Sequence, residues 1–224
     1  MTAATRTANV LGALALVVTD QTDRAVATRS GQSESSAAAL SALQEFLDQP
    51  TVDKLRRVLG LTPSGAVRLV DRLVDAGLVT RGPGADGRSR AISLTTEGRR
   101  AAAEVAAARA GVLADMTDGL TDDEFDSLHR LLSKVMGNAV RTKSRGAWIC
   151  RMCDLAACER NLGHCPAAEA ARIVHSAESA AQSAAAWNHR VDALETEVAR
   201  TRNDRSRTPR GPDVRGIHTT EDTA

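Results

Sequence analysis

The chain has 224 residues, a formal net charge of +1 at pH 7, 42% hydrophobic residues and only 2% aromatic residues. This length fits one domain with appendages or two small domains. The nearly balanced charge excludes a uniformly basic protein, so binding to nucleic acid requires a local concentration of positive charge. Because aromatic residues are scarce, the core must be packed mainly by Leu, Val and Ala between helices.

The first marked feature is an apolar run at residues 10–18, VLGALALVV. It is too short to span a membrane. No convincing cleavage site of a signal peptide precedes the charged residues that begin at Asp20. We therefore predict a buried helix here, with a targeting signal as the alternative. A polar connector follows at 30–36, and residues 37–49 then have the apolar spacing of a helix that Pro50 ends.

Residues 51–77 have the pattern of two helices joined by a short turn. Apolar residues recur at helical spacing up to Gly60, which is placed as a C-terminal cap. Thr62 is placed to cap the second helix, and Pro63 takes its first position, where a missing N–H costs nothing. The second helix is apolar on one side and polar on the other. Its apolar side is formed by Ala66, Leu69, Val70 and Leu73, and its polar side by Ser64, Arg68, Arg72 and Asp75. This arrangement is typical of a helix-turn-helix whose recognition helix enters the major groove.

A β-hairpin is predicted at residues 78–95. Residues 78–81 and 91–95 have the composition of strands, and the turn formers at 82–90 separate them. A hairpin that follows a recognition helix is a wing, and its arginines, Arg88 and Arg90, suit the negative potential of the minor groove. Residues 51–100 contain ten Lys or Arg and five Asp or Glu, so positive charge is concentrated around these elements.

At this point the sequence resembles the winged-helix regulators of the multiple-antibiotic-resistance regulator (MarR) family. The similar segments are LTPSGAVRLVDRLVDAGLVTR at 61–81, DGRSR at 86–90 and LTTEG at 94–98. Ser89 departs from the family pattern, which often has Asp there, and the departure puts hydrogen bonds within the wing in doubt. The resemblance covers roughly residues 8 to 140. It implies a mainly α fold with a small β-wing, a winged helix-turn-helix flanked by dimerisation helices, with the first helix in the dimer interface.

Long helices are expected after the wing. Residues 96–117 are Ala-rich, with a candidate boundary at Gly111, and Thr121 and Glu124 are spaced as a capping box for a helix that runs to about Thr142. We expect the apolar side of that helix to face inward; its residues are Phe125, Leu128, Leu131, Leu132 and Val135. Long Ala- and Leu-rich helices on both flanks of a small domain favour a two-fold homodimer, which would read a pseudo-palindromic operator. A closed monomeric bundle is the alternative.

Four cysteines lie within sixteen residues, at Cys150, Cys153, Cys158 and Cys165. Four thiolates this close in sequence are typical ligands of a structural zinc ion, and an iron–sulfur cluster is the alternative. A thiol switch at Cys150 and Cys153 and plain buried cysteines also remain open. Disulfides fit poorly with the reducing compartment in which a DNA-binding regulator works. His164 is either a substitute ligand or a solvated loop residue.

These patterns divide the chain into four parts. Residues 1–145 form the predicted DNA-binding and dimerisation domain, and residues 146–166 form a metal-binding segment that we call the cysteine module. Residues 167–200 are predicted to be helical. Residues 201–224 contain almost no apolar residues and are predicted to be a disordered tail.

The predicted function is sequence-specific binding of DNA by a cytoplasmic transcriptional regulator, tuned by metal, redox state or a small-molecule effector. The candidate DNA contacts are Ser64, Gly65, Arg68, Arg72, Arg88 and Arg90. For Arg72, an ion pair with Asp75 on the helix surface is the alternative. We expect no enzyme, since no catalytic constellation is present in the sequence, and no membrane association. The rival interpretation is a redox or metal-cluster protein whose winged helix serves protein contacts.

Overall fold

The computed structural model describes residues 2–84, 89–142, 149–177 and 179. Within these ranges the chain forms six named α-helices, a two-stranded antiparallel sheet and two 3-10 turns, followed by helical residues at 166–177. The bounds are α1 Ala3–Ser30, α2 Glu34–Glu45, α3 Val52–Leu59, α4 Pro63–Asp75, β1 Val79–Pro83, β2 Arg90–Leu94, α5 Thr96–Thr117 and α6 Asp122–Thr142, with the 3-10 turns at Ile149–Met152 and Arg160–Leu162. The predicted fold class, mainly α with a small β-wing, is confirmed.

The main core lies where α2, α3, α4 and the start of α5 meet the two strands. Several of its large side chains are at most 1% exposed, among them Leu40, Leu55, Leu69 and Ile92. Alanines of α2 and α5 fill the space between these larger residues. The core is therefore built mainly from Leu, Val and Ala, as expected from a composition poor in aromatic residues, and close packing makes it sensitive to changes in volume.

A second, smaller core joins α1 to α5. It contains Val26, Ala37, Val105 and Ala108, and Met152 of the cysteine module packs against it. Along the 28 residues of α1, the buried residues are only Thr22 and Val26. The N-terminal part of α1 therefore contributes little to the core, although it contains the apolar run at residues 10–18.

The prediction of a buried helix at residues 10–18 is wrong for the single chain. Val10 is 63% exposed and Leu16 is 69% exposed on α1. The prediction that the apolar side of α6 faces inward is wrong in the same sense, because Leu131 is 54% exposed and Phe125 is 43% exposed. Helical periodicity predicts that a face needs a partner, but it does not say whether the same chain supplies that partner.

Local capping was predicted with mixed success. At the start of α6 the carboxylate of Glu124 accepts a hydrogen bond of 2.9 Å from the backbone N–H of Thr121, as expected of a capping box. The Thr121 hydroxyl donates to the same carboxylate at 3.1 Å rather than accepting from the Glu124 N–H, so only half of the predicted box is formed. In α5 the helix continues through Gly111 without a boundary.

The chain separates into two units, residues 1–173 and residues 174–224. In the second unit the described residues 174–177 and 179 are helical. The rest of the helix predicted at 167–200, and the tail predicted at 201–224, lie outside the described residues. None of the described helices is both long enough and apolar enough to cross a membrane.

Candidate nucleic-acid interface and cysteine module

The helix-turn-helix is formed by local signals at each helix end. The Thr51 hydroxyl caps α3, and α3 ends at Gly60, whose φ of 69° lies in the left-handed region that glycine tolerates. The Thr62 hydroxyl accepts a hydrogen bond of 3.1 Å from the Gly65 N–H, and Pro63 begins α4. The caps predicted at Gly60 and Thr62 are confirmed, and together with the cap at Thr51 they determine the direction in which α4 leaves the turn.

The apolar side of α4 is buried as predicted, since Ala66, Leu69, Val70 and Leu73 are at most 2% exposed. Ser64, Arg68 and Arg72 are exposed on the other side. Val67, which is not one of the predicted DNA contacts, is 47% exposed among them. Its position one helical turn after Ser64, on the polar side of α4, is the sequence signal that would have indicated its exposure. The exposed side of α4 therefore combines hydroxyl, guanidinium and apolar groups, which are the groups that read base edges in the major groove.

Gly65 is less exposed than the other predicted DNA contacts on α4. It is half-buried, and a Cβ atom at this position would lie 2.9 Å from the Oγ1 atom of Thr62. The absence of a side chain at Gly65 thus lets the capping hydroxyl approach the first turn of α4. This packing explains the glycine without a contact to DNA.

Two arginines of the candidate interface are held by neighbouring groups. Arg68 donates to the carbonyl oxygen and to the hydroxyl of Ser64, both at 3.3 Å. Arg81 of β1 forms an ion pair of 2.6 Å with Asp71 of α4 and so joins the wing to α4. Within the described part of the chain, Arg72 forms no ion pair with Asp75 or with any other carboxylate, so the alternative considered for it is absent there.

The wing is shorter at its base and longer at its tip than predicted. β1 and β2 pair from Val79 with Leu94 to Pro83 with Arg90, and the Gly84 N–H donates to the Ser89 carbonyl oxygen at 2.8 Å beyond them. Arg90 is exposed at the tip end of its strand. Arg88, which is also predicted to suit the minor groove, is one of residues 85–88, which lie outside the described residues.

Two features attach the wing to the rest of the domain. Beside β2, the Ile92 N–H donates to the carbonyl oxygen of Pro50 at 2.9 Å, and Thr51 bridges to Ala91, so the segment before α3 adds to the sheet. At the wing base, the Thr95 hydroxyl donates to the Gly77 carbonyl oxygen at 2.7 Å. The wing is therefore held both along β2, by the segment before α3, and at its base, by the Thr95–Gly77 hydrogen bond.

The start of α5 packs closely against the wing base. The Thr95 hydroxyl accepts from the Gly98 N–H at 2.9 Å and so caps α5. A Cβ atom at Gly98 would lie only 1.9 Å from the carbonyl oxygen of Leu78. Glycine is therefore required at this position by close approach of two backbones rather than by its φ angle.

All four cysteines are in one cluster. Cys150 and Cys165 are 8% and 4% exposed, and Cys153 and Cys158 are partly buried against them. All four are free thiols. A hydrogen bond to Cys153 and burial raise the pKa of Cys150. The hydrogen bond from Cys150, assisted by the charge of Arg109, lowers the pKa of Cys153 to about 7. Burial raises the pKa of Cys158.

The cysteine module contacts the winged-helix body. The backbone N–H of Leu155 donates to the carboxylate of Glu45 at 3.0 Å, across 110 residues of sequence. Glu45 is the last residue of α2, the helix that precedes the helix-turn-helix. Met152 packs against the core between α1, α2 and α5. The module is thus attached to the C-terminal end of α2, directly before the helix-turn-helix.

His164 is turned to a carboxylate rather than to the thiols. Its Nδ1 atom lies 2.6 Å from the carboxylate of Glu159, and its side chain is 65% exposed. The interpretation of His164 as a solvated loop residue is therefore favoured over a ligand role. No group of three or more His, Cys, Asp or Glu side chains is already arranged to hold a metal ion in the described ranges.

Comparison with known proteins agrees with this geometry. A family model of the MarR family matches residues 30–89. A MarR family protein from Bacillus stearothermophilus has 27% sequence identity and a TM-score of 0.54, over 60% of this chain and 94% of that chain. The YusO protein from Bacillus subtilis has 22% identity and a TM-score of 0.51, over 60% and 97% of the two chains. MepR, a transcription regulator of the Staphylococcus aureus multidrug efflux pump MepA, has 17% identity and a TM-score of 0.52, over 58% and 96%. No curated protein matches the chain.

The fold and the capped α4 beside a braced hairpin define a winged helix-turn-helix protein. The segment at 30–89 is similar to the MarR family, and the fold is similar to that of a MarR family protein from Bacillus stearothermophilus. The predicted resemblance is confirmed. The cysteine module lies beyond the matched residues 30–89.

Proposed function

We propose that this protein binds a specific double-stranded DNA site as a homodimer and thereby regulates transcription. The observation that carries the proposal is the exposed side of α4, where Ser64, Arg68 and Arg72 project from a helix whose opposite side is anchored in the core. The Arg81–Asp71 ion pair joins the wing to the same helix. A recognition helix and a wing joined in this way are suited to contact adjacent grooves of one duplex.

Different contacts are proposed for the different side chains. Arg68 and Arg72 bind guanine edges or phosphates, and both roles add affinity that falls with salt. Val67 is suited to an apolar contact with a thymine methyl group. In the wing, Arg88 is proposed to enter the minor groove and Arg90 to lie near the phosphates. Gly65 is proposed to bring the backbone at the start of α4 close to the duplex.

Homodimer formation is supported by the exposed apolar residues of α1 and α6. The exposed fraction is at least 36% for each of these large side chains. They are Val10, Leu11, Leu14, Leu16 and Val17 on α1, and Phe125, Leu131, Leu132 and Val135 on α6. Single exposed apolar residues are ordinary, but two helices that each carry a group of them mark an interaction surface. A second copy of the chain is the proposed partner, and a pseudo-palindromic operator follows from its two-fold symmetry.

Regulation by a small-molecule effector is part of the proposal, in the cytoplasm where the DNA is accessible. One described cleft, of about 170 Å³, lies between α1, α2 and α5, and Arg109 and Arg151 line it together with Asp23 and Glu34. It is smaller than the roughly 300 Å³ at which drug-sized ligand sites begin. The mixed charges of its lining favour a small polar effector over a large aromatic one.

The decisive experiment is a binding titration with DNA from upstream of the protein's own gene, at several salt concentrations. We expect Arg72→Ala and Arg88→Ala each to weaken binding and to reduce the slope of log K against log salt by about 0.9, because each removes one cation that displaces counterions. Arg172→Ala is the matched control, since this arginine is exposed, pairs with Glu169 and lies outside the winged helix.

Two outcomes would reject the proposal. If affinity and salt slope are unchanged in both variants, Arg72 and Arg88 do not contact DNA. The absence of binding to any upstream DNA, with a folded protein, would favour the rival in which the winged helix contacts proteins.

A further inference from the structure

The cysteine module buries few side chains, and its small apolar cluster is completed by Met136 and Val140 of α6. Among its described residues, 149–166, the buried side chains are those of Cys150 and Cys165, while Leu162 is 70% exposed. Its backbone forms two short 3-10 turns, with Glu159 in the left-handed region at a φ of 49°. A segment this short and irregular cannot be held by apolar burial alone, and cross-links or a metal ion usually replace the missing core.

Interactions between the thiols link all four cysteines. Cys150 interacts through its side chain with Cys153 and with Cys165, and Cys158 interacts with Cys165. The turn that brings the first pair together is closed by a hydrogen bond of 3.0 Å from the Cys153 N–H to the Cys150 carbonyl oxygen. The fold therefore brings together residues that are fifteen positions apart in sequence, which spacing alone does not ensure.

The groups around the thiols are suited to sulfur that carries negative charge. Arg109 of α5 lies near Cys153, and Arg160 lies near Cys150. The backbone N–H of Arg160 donates to the sulfur of Cys158. Four thiolates around one divalent cation have a net charge of −2, which two guanidinium groups and a backbone N–H donor stabilise.

We propose that Cys150, Cys153, Cys158 and Cys165 bind one zinc ion, and that the bound ion holds the cysteine module on α2 and α5. Zinc is the ion that prefers a closed tetrahedral site of four thiolates. Because its ligands lie on both sides of the contacts that Met152 and Leu155 make with the body, the ion restrains both contacts at once. Binding requires rotation of cysteine side chains, since the described thiols are not yet arranged around a common point.

The first test is metal analysis of the full-length chain purified under reducing conditions. We expect about one zinc ion per chain, and replacement by Co²⁺ should give the visible absorption of a tetrahedral thiolate site. Cys158→Ser, at a partly exposed position that is safer for folding than the two buried cysteines, should lose the bound ion and the cobalt spectrum. His164→Ala is the matched control in the same loop, and it should retain both.

Three results would overturn the assignment of zinc. If all four thiols are reactive and the protein does not compete with a chelator for Zn²⁺, the chain has no zinc site. Iron with acid-labile sulfide identifies a cluster instead. A disulfide that forms between two of the cysteines in the purified protein, without bound metal, identifies a redox pair.

The second test addresses the attachment of the module. We expect removal of zinc by a chelator to accelerate amide hydrogen exchange at Leu155, whose N–H is protected by Glu45. Glu45→Gln should weaken protection of the same amide while zinc remains bound. Equal exchange with and without zinc would refute the proposed restraint. Neither test contains DNA, so their outcome is independent of the proposed DNA binding.

Discussion

Replacement of Gly98 by Ala should destabilise the protein, although alanine is the better helix former. Gly98 lies in the first turn of α5, where a Cβ atom would be 1.9 Å from the carbonyl oxygen of Leu78 and 2.9 Å from its carbon. Side-chain Cβ atoms essentially never approach other atoms within 3.0 Å. The start of α5 must therefore move away from the wing base by roughly 1 Å, which is a case of overpacking against rigid backbone.

The magnitude follows from three contributions. A backbone shift forced by overpacking costs about 1–3 kcal/mol. Loss of the hydrogen bond from the Gly98 N–H to Thr95 removes a helix cap of about 1 kcal/mol. The higher helix propensity of alanine offsets about 1 kcal/mol. The expected net loss is about 1–3 kcal/mol of the free energy of unfolding.

Gly111 provides the matched control within the same helix. A Cβ atom at Gly111 would meet no atom within 4 Å, and the position is exposed. Gly111→Ala should therefore stabilise the protein by about 0.5–1 kcal/mol through helix propensity alone. Urea denaturation at one fixed chain concentration measures both variants, so that any effect of self-association on the midpoint is the same for both. Equal midpoints for the two variants would refute the close approach at Gly98.

Three further predictions concern caps, the interface and pH. Thr62→Ala should cost about 1 kcal/mol of stability in urea denaturation, because the Gly65 N–H loses its acceptor; no change would mean that water replaces the cap. Leu131→Asp should shift the chain towards a monomer in light scattering if α6 lies in the dimer interface, and an unchanged mass would exclude this. The hydrogen bond from the Thr121 N–H lowers the pKa of Glu124. The Glu124 carboxylate therefore contributes fully to the free energy of unfolding above the ordinary pKa of glutamate, and this contribution is lost as the pH falls through the lowered pKa. Glu124→Gln should abolish this part of the pH dependence of stability in urea denaturation.

The helix-turn-helix could be predicted from sequence because its determinants are local. Thr62 caps a helix three residues away, and Gly60 ends α3 through its own φ angle. The bounds predicted for α5, 96–117, agree with the structure. The strands were predicted within two residues at each end, since composition indicates a strand but pairing between strands decides where it ends.

Contacts between distant segments could not be predicted. The Glu45 carboxylate meets the Leu155 N–H across 110 residues, and no residue pattern near either one indicates the other. The same is true of Arg109, which lies near Cys153, and of Pro50, which pairs with Ile92 beside the wing. Val67 is apolar, and its position one turn from Ser64 was only a weak signal until its exposure was seen in the structure.

By itself the sequence determined the class of protein, the positions of the helix caps and the side of α4 that is polar, because these depend on residues within one or two turns of each other. Only the tertiary structure decided which apolar faces are buried, why Gly98 carries no side chain and where the cysteine module is attached. The physical reason is that burial and close approach depend on a second segment, and the chain brings that segment into place only by folding.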